Sequence, residues 1–144
     1  MMNRIFSPKK LLMLICCLLS SVAFADLVVI TSVKNTGLEL SPYQVAEIFL
    51  GKSATFPGGM FALPLDQIEG APARDEFYLR IVGKNTPQMT AYWSKMIFTG
   101  QGKPPAEVGD SLAVKKQVIA NQHAIGYVDK SAVDGSVKVL LRLY

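Results

Sequence analysis

The residues able to do chemistry are few. The chain has one histidine, His123, immediately before an apolar run. A lone imidazole with no second one nearby in sequence fits a turn or surface position better than a metal ligand or a general base. Asp75 and Glu76 are adjacent, so on a helix their side chains point about 100° apart and cannot form a carboxylate pair. No H-E-x-x-H, G-x-S-x-G or P-loop pattern is present. Gly100-Gln101-Gly102 is too short for a dinucleotide fingerprint and follows a helical pattern rather than a strand. Cys16 and Cys17 are the only cysteines. Both lie in an N-terminal apolar run, which leaves the rest of the chain without a disulfide, a thiolate metal site or a cysteine nucleophile. The inventory points to no catalytic residue, no metal ligand, no cofactor and no enzyme.

The charge distribution explains the N-terminal run. The 144 residues carry a formal net charge of +4. Arg4, Lys9 and Lys10 precede the apolar stretch Leu11–Leu19, Ala23-Phe24-Ala25 follows it, and every acidic residue lies at Asp26 or later. A charged start, a short apolar core and an A-x-A site describe a secretory signal over residues 1–25. The apolar core is shorter than the roughly 20 residues that span a bilayer, which argues against the alternative of an uncleaved anchor. Neither cysteine follows the small residue of a lipoprotein signal. Residues 26–144 are then nearly neutral with no basic run, which gives no electrostatic footprint for nucleic acid. They are expected in the bacterial periplasm, off the membrane once the signal is cleaved, as one domain held by its core alone.

Within 26–144 the pattern alternates. Leu27–Val33 is apolar and β-branched and reads as a buried strand. Ser41-Pro42-Tyr43-Gln44 is a capping-box start, Val45, Ile48 and Phe49 follow at helical spacing, and Gly51 ends that helix. Met60–Leu65 reads as a second strand, with Pro64 at an edge or end. A helix from about Ala71 to Val82 buries Phe77, Tyr78, Ile81 and Val82. Met89, Tyr92, Trp93, Met96 and Ile97 make the strongest helical stripe, better explained by core packing than by a ligand platform. Residues 99–105 form a loop. Asp110 or Ser111 caps a helix carrying Leu112, Val118 and Ile119. Ala124–Val128 and Val137–Leu141 are the last strands. The order β-α-β-α-α-α-β-β implies an α/β domain with a mixed sheet flanked by helices.

Four ordered segments, Leu40–Lys52, Phe56-Pro57-Gly58-Gly59, Ala73–Phe77 and His123–Val128, together resemble the periplasmic phosphate-binding proteins of ABC importers. Leu40–Lys52 is similar to that family's "L-T-x-x-x-L-x-x-I-F-x-G-K" helix. Phe56-Pro57-Gly58-Gly59 is similar to the turn after it, Ala73-Arg74-Asp75-Glu76-Phe77 to "T-R-x-x-F", and His123–Val128 to "G-A-I-G-Y-V". The resemblance implies a single lobe of a type 2 periplasmic-binding-protein-like fold, specifically the second lobe. It places ligand-binding positions at Gln67, Ala71, Ala73 and Arg74. Two departures follow. The phosphate loop of the first lobe has no counterpart in this sequence. Where the family has Ser-Gly-Thr at a helix start, this chain has Ala71-Pro72-Ala73, which removes both hydroxyls and one N–H. The arginine that usually precedes that motif falls near Gln67, and Glu69 adds a negative charge. Arg74 is explained as well by an ion pair with a carboxylate as by a bound anion.

The expectation is a secreted binding module resembling the substrate-binding component of phosphate ABC transporters, with weak or no phosphate affinity by itself. Its ligand would be phosphate or another small anion, and its partner an ABC permease. The alternative is a periplasmic interaction module whose exposed cleft face meets a partner protein or a second copy of itself. Cleavage is expected after Ala25, since Ala23 and Ala25 supply the small residues that signal peptidase requires. Intact mass of the exported protein checks this, and a mass that retains residues 1–25 refutes it.

Overall fold

The computed structural model describes residues 26–143, so the signal expected over residues 1–25 lies outside the described residues. Strand β1 (Leu27–Ser32) is followed by helix α1 (Pro42–Phe49) and strand β2 (Leu63–Gln67). Helix α2 (Pro72–Phe77) runs directly into a π-helical turn, Tyr78–Val82. Helix α3 (Thr86–Phe98), strand β3 (Ala106–Gly109), helix α4 (Ser111–Ala120) and strands β4 (Ala124–Asp129) and β5 (Val137–Leu143) complete the chain. The five strands form one mixed sheet in the order β3-β2-β4-β1-β5. β2 runs parallel to both β3 and β4, whereas β1 runs antiparallel to both β4 and β5.

The sheet is covered on both faces, and the two central strands show why the sequence reads as continuous apolar runs. Leu27 and Val29 of β1 join Ile125 and Tyr127 of β4 in a core with Phe49, Phe77 and Trp93. The alternate residues Val28, Ile30, Ala124 and Val128 pack with Val114 and Val118 of α4 on the other face. α1, α2 and α3 thus form one layer and α4 the opposite one. Gly126 is the contact point of α4 with the sheet. A Cβ built there would lie 2.3 Å from Val114 Cγ1, so only glycine lets helix and strand approach this closely.

Local signals account for the helix starts. Ser41 accepts from the Gln44 N–H while the Gln44 side chain accepts from the Ser41 N–H, and Asn85 and Gln88 repeat the device at α3. Asp110, not Ser111, caps α4 by accepting from the Ala113 N–H. Gly51 ends α1 at φ 72° against the Trp93 ring, as a helix stop requires.

Five expectations are corrected. The second strand lies at Leu63–Gln67 rather than Met60–Leu65, because Met60 accepts from the Phe56 N–H in a turn and Phe61 bridges to Thr55. The helix expected to about Val82 stops being α-helical at Phe77 and widens into the π turn before Gly83. β3 occupies residues directly after the expected loop, where a short, largely exposed edge strand leaves no apolar alternation to read. In α4, Leu112 and Ile119 point outward at 65% and 51% exposure, while Val118 is buried as expected and Val114 joins it against the sheet. In α3 the buried stripe narrows to Met89 and Trp93, with Ile97 exposed.

Gly126→Ala is expected to destabilise the fold by about 1–3 kcal/mol, as overpacking does. Urea unfolding measures it, and combining it with Val114→Ala should cost less than the two single changes added together. Strict additivity would place the strain elsewhere.

Candidate functional site

The polar centre of the domain lies at the C-terminal end of β2, the side of a parallel sheet where ligands bind in open α/β folds. Asp66 is 1% exposed. Its Oδ1 accepts from the Tyr127 hydroxyl of β4 and from the Gln67 N–H at 2.9 Å. Its Oδ2 accepts from the Tyr78 hydroxyl at 2.6 Å and lies 3.8 Å from the Arg74 guanidinium. Burial pushes the Asp66 carboxyl above its ordinary value, against the opposing pull of the two phenols, Arg74 and the Gln67 N–H. Burial, and then the charge of Asp66, push both phenols far up in turn. The rings around them are close-packed: Phe77 stacks on Tyr127 at 4.0 Å and meets Phe49 edge-on at 4.7 Å.

Gln67, Ala71, Ala73 and Arg74 all fall beside this centre. Gln67 is buried, its side-chain NH2 donating to Ser111 Oγ at 3.1 Å and to the Tyr127 carbonyl at 3.1 Å. Ala71 is the N-cap of α2 and offers no side-chain cap, and Pro72 occupies the first helical position without an N–H. Ala73 is partly buried against the aromatic core. Arg74 bridges outward and inward. Its guanidinium donates to Glu107 Oε1 of β3 at 2.5 Å and to the Gln67 carbonyl at 3.0 Å. Glu107 is not among the residues that the sequence singles out, because its partner is 33 positions away and its own strand is too short to leave a pattern. Asp66 is equally silent in the sequence, a lone acid in an apolar run. The phenols that clasp it are legible there only as core aromatics.

Beside Arg74 a cavity of about 330 Å³ opens between the start of α2, the π turn, α3 and residues 104–107. A second, more apolar cavity of about 460 Å³ lies across the Pro104-Pro105 ridge, and Trp93 lines both. His123 is remote from the Arg74 centre. Its ring Nδ1–H donates to the Phe61 carbonyl at 3.1 Å on the exposed surface. Among the described residues no group of three or more His, Cys, Asp or Glu could hold a metal ion. No described helix is long and apolar enough to cross a membrane.

The fold has counterparts among solved structures. A protein from Clostridium perfringens described as a phosphate ABC transporter substrate-binding protein, with bound phosphate, superposes with a TM-score of 0.63 at 23% identity. An ABC-type phosphate transport receptor from Vibrio cholerae gives 0.63 at 16%, and PstS from Borrelia burgdorferi 0.61 at 12%. Each comparison covers 81% of this chain but only 44%, 45% and 46% of the respective structure. The chain therefore spans less than half the length of these proteins, and the likeness is one of fold: an α/β domain corresponding to part of a periplasmic substrate-binding protein. No family model and no curated protein matches the sequence.

The two buried phenols lead to an expected loss of stability at alkaline pH. Because the folded values of Tyr78 and Tyr127 are raised, their contribution is intact below the ordinary phenol value near 10 and is lost as pH rises past it. Above about pH 10 each should lower stability by about 1.4 kcal/mol per pH unit. Urea titrations at several alkaline pH values measure the slope, and Tyr78→Phe should remove about half of this component. An unchanged slope in that variant would mean that Tyr78 ionises in the folded state.

Proposed function

We propose that the chain is a periplasmic, single-lobe binding module with the architecture of the second lobe of phosphate-binding proteins, and that its own carboxylates close the anion grip. The observation that carries this is the position of Glu107, 2.5 Å from the Arg74 guanidinium, with Asp66 on the inner side at 3.8 Å. A phosphate oxygen seeking Arg74 has to displace a carboxylate already paired there. The other half of the grip is missing at α2, where Ala71, Pro72 and Ala73 supply no hydroxyl. Two lost hydrogen bonds to a charged group, at about 1.5–3 kcal/mol each, lower affinity roughly 10²–10⁴-fold. Gln67, in the place of an arginine, gives no compensation, since its amide is held within the fold. In this reading Gln67, Ala71, Ala73 and Arg74 mark the inherited site. The protein works in the periplasm without catalysis, beside an ABC permease or another periplasmic protein.

A second reading, an interaction module, is favoured by the exposed apolar end of α3. Phe98 is 92% and Ile97 58% exposed, with Ile97 on the rim of the cavity beside Arg74. A partner protein or a second copy covering that end would bury both.

Calorimetric titration of the purified protein with phosphate is expected to show no binding tighter than about millimolar. Ala71→Ser, Pro72→Gly and Ala73→Thr together with Glu107→Gln should rebuild the grip and tighten binding at least about tenfold. Micromolar binding by the unchanged protein would refute the closed-grip reading.

A further inference from the structure

A cavity of about 430 Å³ lies at the opposite end of the sheet from Asp66, within the size range of ligand pockets. β1 runs antiparallel to β4, and the N-terminal ends of β2 and β4 lie side by side. The loop that leaves β1 therefore meets Gln122, just ahead of β4, at that end. The cavity sits between residues 34–39 of this loop, the turn at residues 56–60 and Gln122. Its wall holds a buried amide with one atom unused. Asn35 lines the cavity and is 6% exposed. Its Nδ2 donates to Thr31 Oγ1 and to the Gln122 carbonyl, each at 2.9 Å. The Thr31 hydroxyl donates in turn to the Ala124 carbonyl at 2.9 Å. Both Asn35 N–H groups are thus spent on acceptors inside the fold, which settles which branch of the amide is the oxygen. No donor among the described residues reaches Asn35 Oδ1. A buried acceptor without a donor is costly, and it is the one group that Asn35 has left to offer the cavity.

Two charges of opposite sign flank that amide, and the fold uses neither. Lys34 and Glu39 both line the cavity and are exposed, and neither side chain has an ion-pair or hydrogen-bond partner among the described residues. Lys138 is already engaged, its Nζ donating to the Asn35 and Leu38 carbonyls at 2.9 and 2.8 Å, which fastens the loop to β5. Phe56 and Met60 supply an apolar wall. Gln122 meets Met60 only through an Nε2···Sδ contact of 3.9 Å, a weak one for an entering molecule to part. A simple anion brings no donor for Asn35 Oδ1, and an alkylammonium brings nothing for Lys34. An α-amino acid satisfies every group: its ammonium donates to Asn35 Oδ1 and Glu39, its carboxylate accepts from Lys34, and its side chain lies on Phe56 and Met60. We infer that this cavity binds a free amino acid with an apolar side chain of leucine size, held as the zwitterion. The site is remote from Arg74, so the inference goes beyond the closed-grip reading and does not depend on it.

The probe is L-leucine, titrated into the purified protein and followed by amide NMR spectra. Two controls keep the carbon skeleton and remove one charge each: isoamylamine lacks the carboxylate and isocaproate lacks the ammonium. Saturable shifts are expected with L-leucine at concentrations of millimolar order, in the backbone signals of residues 34–39 and in the Asn35 side-chain NH2, whose oxygen gains a donor. Either control should bind at least about tenfold more weakly, having lost hydrogen bonds to a charged group. Lys34→Gln and Glu39→Gln, at exposed positions, should each weaken L-leucine binding about 5-fold. Unchanged thermal melting of these variants separates lost binding from lost fold. No saturable shift up to roughly 10 mM L-leucine overturns the inference. So does a response to isoamylamine or isocaproate equal to that to L-leucine, or unchanged affinity when Lys34→Gln and Glu39→Gln are combined.

Discussion

A carboxylate placed almost completely out of water governs the arrangement around it. Asp66 has to be solvated by the protein, and it draws one donor from each surrounding element: Tyr127 from β4, Tyr78 from the π turn, the Gln67 N–H from β2 itself and, at longer range, Arg74 from α2. Each donor is then constrained. Tyr127 must stand on the aromatic face of the sheet, where it stacks on Phe77. Tyr78 opens the π turn, and a wider helical turn at that point is the local geometry accompanying its reach to Asp66. Removing one partner from such a network leaves a buried charge uncompensated, which costs more than the pair contributes.

The same carboxylate decides what Arg74 can do. In a chain with a free guanidinium at a helix start, an external anion would be its natural partner. Here Asp66 holds the guanidinium from inside and Glu107 holds it from the edge strand, so the charge is settled within the domain. This pairing also helps explain how β3 stays on the sheet. The strand has four residues and little apolar contact, and its register with β2 is irregular next to Gln67. The Glu107–Arg74 contact ties it to α2. The Arg74–Glu107 contact is thereby a structural clasp between α2 and β3.

Wherever the information is local, the sequence alone determined the outcome. The capping box at Ser41, the stop at Gly51, the buried strand from Leu27 and the strand from Ala124 are set by contacts within a few residues or by runs of one chemical character. Ordered similarity over Leu40–Lys52, Ala73–Phe77 and His123–Val128 pointed to the architecture that the solved structures share. The absence of side-chain hydroxyls at Ala71-Pro72-Ala73 is equally plain, because it is a matter of residue type. Even the explanation of Arg74 by an ion pair was available from composition, although its partners were not.

The rest depends on the folded arrangement, because the contacts that set it act across long separations in sequence. Asp66 meets Tyr127 across 61 residues and Arg74 meets Glu107 across 33, spacings that carry no periodic signal. β3 exists because β2 offers it a parallel edge, not because its own residues alternate. The outward aim of Leu112 and Ile119 follows from the seat of α4 on Gly126, where the missing Cβ fixes Val114 and Val118 as the buried face. Residue types carry charge and shape along the chain, but which charges neutralise one another is settled only when the sheet brings distant strands to spacings of a few ångströms.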